Sequence, residues 1–241
     1  MVHVSPELSP RRRRRRQART EEILATAERL LERGGLEAVT IHAIAAELDW
    51  AQGALYRYFP SKDALLASLQ RRVLDRLGER IATALAQAGD DGPPLGPVMV
   101  VAETYRSFAT DEVPSFNLLT QSIADPREWI EPGASAGVVD AAEGLLGQLR
   151  DALAAAAVAG VIEDGPHGLR AVQLWAAMHG VLQLRKIARL RPQVFPIDQL
   201  ATATVDDLLS GWGASRDDCN AARDWARIQI EGCSAASGGS P

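Results

Sequence analysis

Two of the chain's three tyrosines, Tyr56 and Tyr58, fall between Leu55 and Lys62, together with Arg57 and Phe59. Phenolic hydroxyls interleaved with cations suit hydrogen bonds and charge pairing to phosphate oxygens. Leu55 and Phe59 are four residues apart, share one helix face, and suit anchoring instead. Gln52 and Ala54 stand just upstream, at the exposed start of the same short segment. A glutamine amide can bond adenine bidentately, and an alanine methyl can meet the methyl of thymine. Lys62 follows Ser61, which caps the next helix, so its charge adds to free backbone N–H groups at one phosphate. Thr40, capping the preceding helix, offers a similar contact.

Other reactive constellations are missing from the sequence. His3, His42, His167 and His179 are scattered, and there is no H-E-x-x-H, no G-x-S-x-G and no phosphate-cradling glycine loop. No catalytic residue, metal ligand or cofactor is therefore expected, and a helical lyase or hydrolase is the disfavoured alternative. Cys219 and Cys233 have no metal-ligand spacing and read as free thiols in a reducing cytoplasm, the expected location. No run of about 18 uncharged apolar residues suggests a membrane span. No apolar stretch follows the N-terminal arginines, as a secretory leader requires.

The net charge of −5 conceals a division. Residues 1–62 hold eleven Lys/Arg against eight Asp/Glu, whereas the remainder holds 15 against 23. A basic head on an acidic body suits one end to a polyanion. Arg11 to Arg16 are six adjacent like charges that repel, so residues 1–16 read as a disordered basic arm. It is either a solvated tail or an arm that strengthens DNA binding without specificity, through phosphates or an adjacent minor groove.

The elements that must position these groups follow from periodicity. Ile23, Leu24, Ala27, Leu30 and Leu31 make one apolar helix face, and "RGG" at Arg33 to Gly35 stops it. Thr40 caps a second helix whose Ile41, Ile44, Ala45 and Leu48 share a face; a short third segment runs through Phe59. After Pro60 a long helix carries Leu66, Leu69, Val73, Leu77 and Ile81, ending in the Gly/Pro-rich loop Gly89 to Pro97. Helical stretches are then expected near 97–111, 114–124, 134–160, 168–189 and 198–211, with no alternating strand pattern. The chain is expected to be all-α. The expected divisions are the arm, a helix-turn-helix unit over 17–66 (motif 40–59), a larger helical domain over 67–215, and a partly flexible extension over 216–241.

Two short helices joined by a tight turn, supported by a third, form a helix-turn-helix whose second helix can enter a major groove. "TIHAIAAELDWAQGALYRYFPSKDALL", Thr40 to Leu66, resembles the TetR family of bacterial transcriptional regulators. The Ile-Ala pair, the Gly-x-Leu-Tyr that begins with Gly53, and the aromatic-Phe-x-x-Lys ending carry the resemblance. By position in that pattern, His42 and Arg57 also face the groove. Two positions depart from it: Asp49 stands where many members have glycine in the turn, and Ala51 where serine commonly caps the recognition helix. The resemblance implies a homodimer on a pseudo-palindromic duplex operator, acting as a repressor that releases DNA when a small molecule of unknown identity binds. Activator or adaptor roles on the same fold remain alternatives.

"LRAVQLWAAMHGVLQL", Leu169 to Leu184, is apolar around most of its circumference and needs cover on both sides. A partner chain is implied, with Trp175, His179, Leu182, Val205, Leu208, Leu209 and Trp212 as interface candidates. "WAAMHG" also resembles the Trp-x-x-x-His-Gly stretch of one TetR C-terminal subfamily. The resemblance further implies a ligand pocket, for which Tyr105, Phe108, Phe116, Asn117, Trp129, Trp175 and Met178 are the available aromatic, polarizable or amide residues. Trp129, in a Pro-flanked segment, is the first of these.

Overall fold

The structure is a computed structural model, and it describes residues 9–89, 91–124 and 132–237. Those residues are all-α, with eleven helices and no strand. In order these are α1 (Pro10–Ala38), α2 (Ile41–Glu47), α3 (Gln52–Leu55), α4 (Lys62–Ala88), α5 (Gly96–Asp111) and α6 (Val113–Ala124). There follow α7 (Pro132–Val158), α8 (His167–Gln183), α9 (Arg185–Ala188), α10 (Ile197–Gly211) and α11 (Arg216–Ser237). The chain divides into two compact units at Arg72/Val73, Phe116/Asn117 and Val138/Val139. The first break lies six residues beyond the expected 66/67. Nothing in α4 marks a boundary, because Leu66, Leu69, Val73 and Leu77 continue one uninterrupted buried stripe.

In the first unit, Ile23, Leu24, Ala27 and Leu31 of α1 form a core with Ile41, Ile44 and Ala45 of α2, Leu55 of α3, and Phe59. Each large side chain so buried contributes about 1.5–3 kcal/mol. Regular helix ends at Gly35, whose φ of +69° is the left-handed conformation that glycine adopts freely. Thr40 caps α2, its Oγ1 accepting from the Ala43 N–H at 3.0 Å, and Ser61 Oγ accepts from the Ala64 N–H at 3.0 Å at the start of α4. Arg72 of α4 pairs with Glu21 and, at 2.7 Å, with Glu28 of α1.

The arginine run departs from the disordered arm expected. α1 begins at Pro10, so Arg11 to Arg16 are helical; residues 1–8 lie outside the described residues. Proline at the first turn has its φ preset, arginine is a strong helix former, and the apolar half of α1 anchors the extension. Helical spacing also fans the charges around the axis.

In the second unit α5 packs against α8 and α11, and α10 against α8 and α11. Of the C-terminal extension, expected to be partly flexible, residues 216–237 form the 22-residue helix α11, and 238–241 lie outside the described residues. Its buried stripe is Cys219, Ala222 and Ala226, side chains small enough that the pattern carries little apolar signal. Burial also pushes the Cys219 thiol pKa up, as an inert structural cysteine requires. Trp225 lies over Gly92 and Gly96: a Cβ on either would meet its ring at 2.4 or 2.7 Å. Gly96→Ala is therefore expected to cost about 1–3 kcal/mol in chemical denaturation. In a Trp225→Ala background the same change should cost much less.

Candidate functional site

The first unit gathers most of the sequence-derived polar candidates on one surface. The turn between α2 and α3 holds Asp49 at φ +54°, the left-handed conformation that aspartate accepts better than most residues. The Trp50 N–H closes the turn onto the Ala45 carbonyl at 2.9 Å. α3 is four residues long, its Ala51 cap makes no side-chain hydrogen bond, and the chain continues as a turn through Tyr58. Leu55 and Phe59 are buried beneath it, while Gln52, Gly53, Tyr56, Arg57 and Lys62 are exposed. Ala54 and Tyr58 are half-buried. The Gln52 amide lies 2.8 Å from His42 Nδ1, so the exposed His42 tethers the residue at the head of α3 to α2. Thr40 is half-buried, and its hydroxyl oxygen already serves as the α2 cap.

Beside this surface runs a groove of about 720 Å3 bordered by Arg12, Arg15, Arg16, Arg19 and Arg57, with Trp50, Ala51, Ala54 and Tyr58. The Arg16 guanidinium donates to the Arg57 carbonyl at 3.1 Å and sits 5.7 Å from the Tyr58 ring centroid. Arg19 lies 4.9 Å over Trp50, whose ring is 6.0 Å from that of Tyr58.

The second unit encloses a small apolar cavity of about 20 Å3 among α4, α5, α7 and α8. Tyr105, Trp175 and Met178 line it, with Leu145, Leu149 and Leu174. Tyr105 Oη is 2.6 Å from His179 Nδ1. Burial depresses the His179 pKa and raises that of Tyr105, so a neutral imidazole and a neutral phenol share this hydrogen bond. That buried Nε2 has no hydrogen-bond partner. Phe116 packs 5.1 Å from His179, and Arg185 stacks 4.6 Å over Phe116. Burial first, then Arg189, lowers the Arg185 pKa. Among the described residues no group of His, Cys, Asp and Glu could hold a metal ion, and no helix is long and apolar enough to cross a membrane.

Profiles of two domain families match the chain. The profile of bacterial regulatory proteins of the tetR family matches residues 23–69, and that of the tetracyclin repressor-like C-terminal domain matches residues 98–208. This chain belongs to the TetR family. Among relatives, it is 31% identical over 144 residues to the HTH-type transcriptional repressor KstR of Rhodococcus jostii. That match covers 58% of this chain and 59% of the repressor, so it spans under two thirds of the relative. A Rhodococcus protein of unknown function has the same fold at 24% identity, with a TM-score of 0.64 over 80% of this chain and 94% of that one. So does FadR of Bacillus subtilis, solved with stearoyl-CoA, at 16% identity and a TM-score of 0.59 over 79% and 98%.

Within that TetR framework the candidate residues sort unevenly. Of the pocket candidates, Tyr105, Trp175 and Met178 meet at the cavity, whereas Phe108 and Phe116 are buried among the rings behind it. Asn117 belongs to the first unit, and Trp129 lies outside the described residues. Four interface candidates need correction: His179, Leu182, Val205 and Leu209 are buried in the subunit's own core. The side of α8 carrying His179 and Leu182 turns toward α5 and α10, and the opposite side, with Leu169, Val172, Ala176 and Gly180, is left exposed. Trp175, Leu208 and Trp212 are half-exposed.

Arg19 and Trp50 were missed as neighbours of α3, and Arg12, Arg15 and Arg16, expected in a disordered arm, lie beside it as well. The i, i+3, i+4, i+7 spacing of the four arginines is present in the sequence, but an unbroken run hides it.

Two stability measurements check this geometry. Ala51→Ser supplies the absent cap and is expected to raise unfolding stability by about 1 kcal/mol, with Thr40→Ala lowering it similarly. For His179, the folded pKa lies below the unfolded value of about 6.5, so protonation favours unfolding. Its contribution is complete above that value and is lost as pH falls through it. The thermal midpoint should therefore drop more between pH 7.5 and 5 in wild type than in His179→Gln.

Proposed function

We propose that the protein is a homodimeric, ligand-responsive transcriptional repressor, working on DNA in the cytoplasm, that presents α3 to the major groove of each operator half-site. The observation that carries this reading is the exposed set Gln52, Gly53, Tyr56, Arg57 and Lys62, seated on buried Leu55 and Phe59 at the end of a tight turn. Gln52, steadied by His42, and the Ala54 methyl read base edges, with Tyr56 beside them. Tyr58, Arg57 and Lys62 hold the backbone, Lys62 together with the free N–H groups of α4's first turn. The KstR relatives are transcriptional repressors, which supports repression rather than another use of the fold.

Dimerisation falls to the face that the subunit leaves uncovered, with Leu169, Val172, Ala176 and Gly180 of α8, and to the half-exposed Leu208 of α10. Ala176 and Gly180 let two such helices approach closely, and the aliphatic residues supply the area that association buries. For the ligand, the cavity holds space for about one water, so a small molecule must bind a more open form of the second unit. A ligand selective for that form shifts the population and withdraws the protein from its operator. The unpartnered His179 Nε2 favours a ligand with a polar group that can hydrogen-bond to it.

Titration of the purified protein against the DNA upstream of its own coding sequence tests the reading. Wild type should bind that duplex well above an unrelated one. Tyr56→Phe alone is expected to cost about 3- to 10-fold, the loss of one hydrogen bond. Gln52→Ala, Tyr56→Phe and Lys62→Ala combined should abolish the preference, and an unchanged affinity for this triple variant refutes the docking.

A further inference from the structure

Helical geometry sorts the arginine run into faces. Arg12, Arg15 and Arg16, with Arg19 beyond the run, lie at i, i+3, i+4 and i+7 and border the groove beside α3, which Arg13 and Arg14 do not. Among the described residues no carboxylate pairs with Arg12, Arg15 or Arg57, whereas Arg19 is held by Glu22 at 2.6 Å. Four like-charged guanidinium groups around one channel, together with Arg57, repel one another until a polyanion enters. The floor is aromatic: Trp50 under Arg19 and Tyr58 under Arg16 fix two of these cations in place before any ligand arrives.

We infer that this groove seats the sugar–phosphate strand bordering the base edges that α3 reads, so that the arginine extension of α1 is a structured second half of the DNA-binding surface. The inference rests on the DNA-binding reading above. Arg12 to Arg19 spans about 10 Å along the helix, enough for its arginines to reach more than one phosphate of a strand lying in the groove. Ala51 and Ala54 line the same groove as the arginines, so a strand lying in it passes directly beside the head of the recognition segment. The bond is to phosphate alone, and the groove therefore adds affinity to every sequence equally.

Face dependence distinguishes this from a generic charged tail. Two full-length variants remove the same charge: Arg12→Ala/Arg15→Ala from the groove, and Arg13→Ala/Arg14→Ala from outside it. Each is titrated with the upstream duplex and with an unrelated duplex of equal length across a KCl series, with helicity checked by circular dichroism. The groove pair is expected to weaken both duplexes about tenfold at 0.15 M salt. It should lower the log–log salt slope by about two, near 0.9 for each phosphate released. The outer pair should change affinity less than about threefold and the slope by less than about half a unit. Equal effects of the two pairs, or an unaltered slope in the groove pair while wild type binds the upstream duplex, overturn the groove. A wild-type protein that binds neither duplex overturns the functional reading itself, and this inference with it.

Discussion

Burial of Leu55 and Phe59 is the constraint on which the rest depends. A four-residue helix with an uncapped start has no stability of its own, since nucleation costs more than so few hydrogen bonds return. Its conformation is imposed from below by two side chains seated in a core built by α1, α2 and α4. Every exposed residue between Gln52 and Lys62 takes its direction from that seat. The left-handed Asp49 turn then sets the angle at which α3 leaves α2, at a backbone cost that the packing must cover.

Charge is organised around the same seat. Within the first unit several cations are matched by carboxylates outside the groove lining: Arg72 with Glu21 and Glu28, and Arg33 with Glu47. Within that lining Arg12, Arg15 and Arg57 have no acidic partner among the described residues. Exposed ion pairs add little to stability. Their chief consequence is local: they leave a concentrated positive field on one face of the first unit, where it can steer a polyanion.

Much of the first unit was legible in the sequence because its signals are local. Thr40 and Ser61 declare helix starts, Gly35 a stop, and Ile41, Ile44, Leu55 and Phe59 their shared faces. What failed there was the arginine run, where repulsion argued for disorder and helix propensity with a long apolar anchor prevailed. In the second unit, α8 shows the limit of pattern reading. It is apolar on nearly every side, so periodicity could not say which side faces its own subunit, and His179 suited a packed position as well as an interfacial one. The structure binds it to Tyr105, a pairing across 74 positions that no local pattern encodes. α11 was obscured because alanine and cysteine make its buried stripe, and small residues carry weak hydrophobic contrast. The cavity was equally out of reach, because its volume depends on how four helices pack.

The central claim is that two identical α3 segments, each held by its own aromatic and aliphatic seat, address one duplex together. Hydroxyl-radical footprinting of the upstream DNA measures this most directly. The account predicts two protected patches of backbone related by a dyad, their centres about one helical turn, or 10–10.5 base pairs, apart. A single unpaired patch, or protection with no twofold relation under conditions of full occupancy, would contradict it.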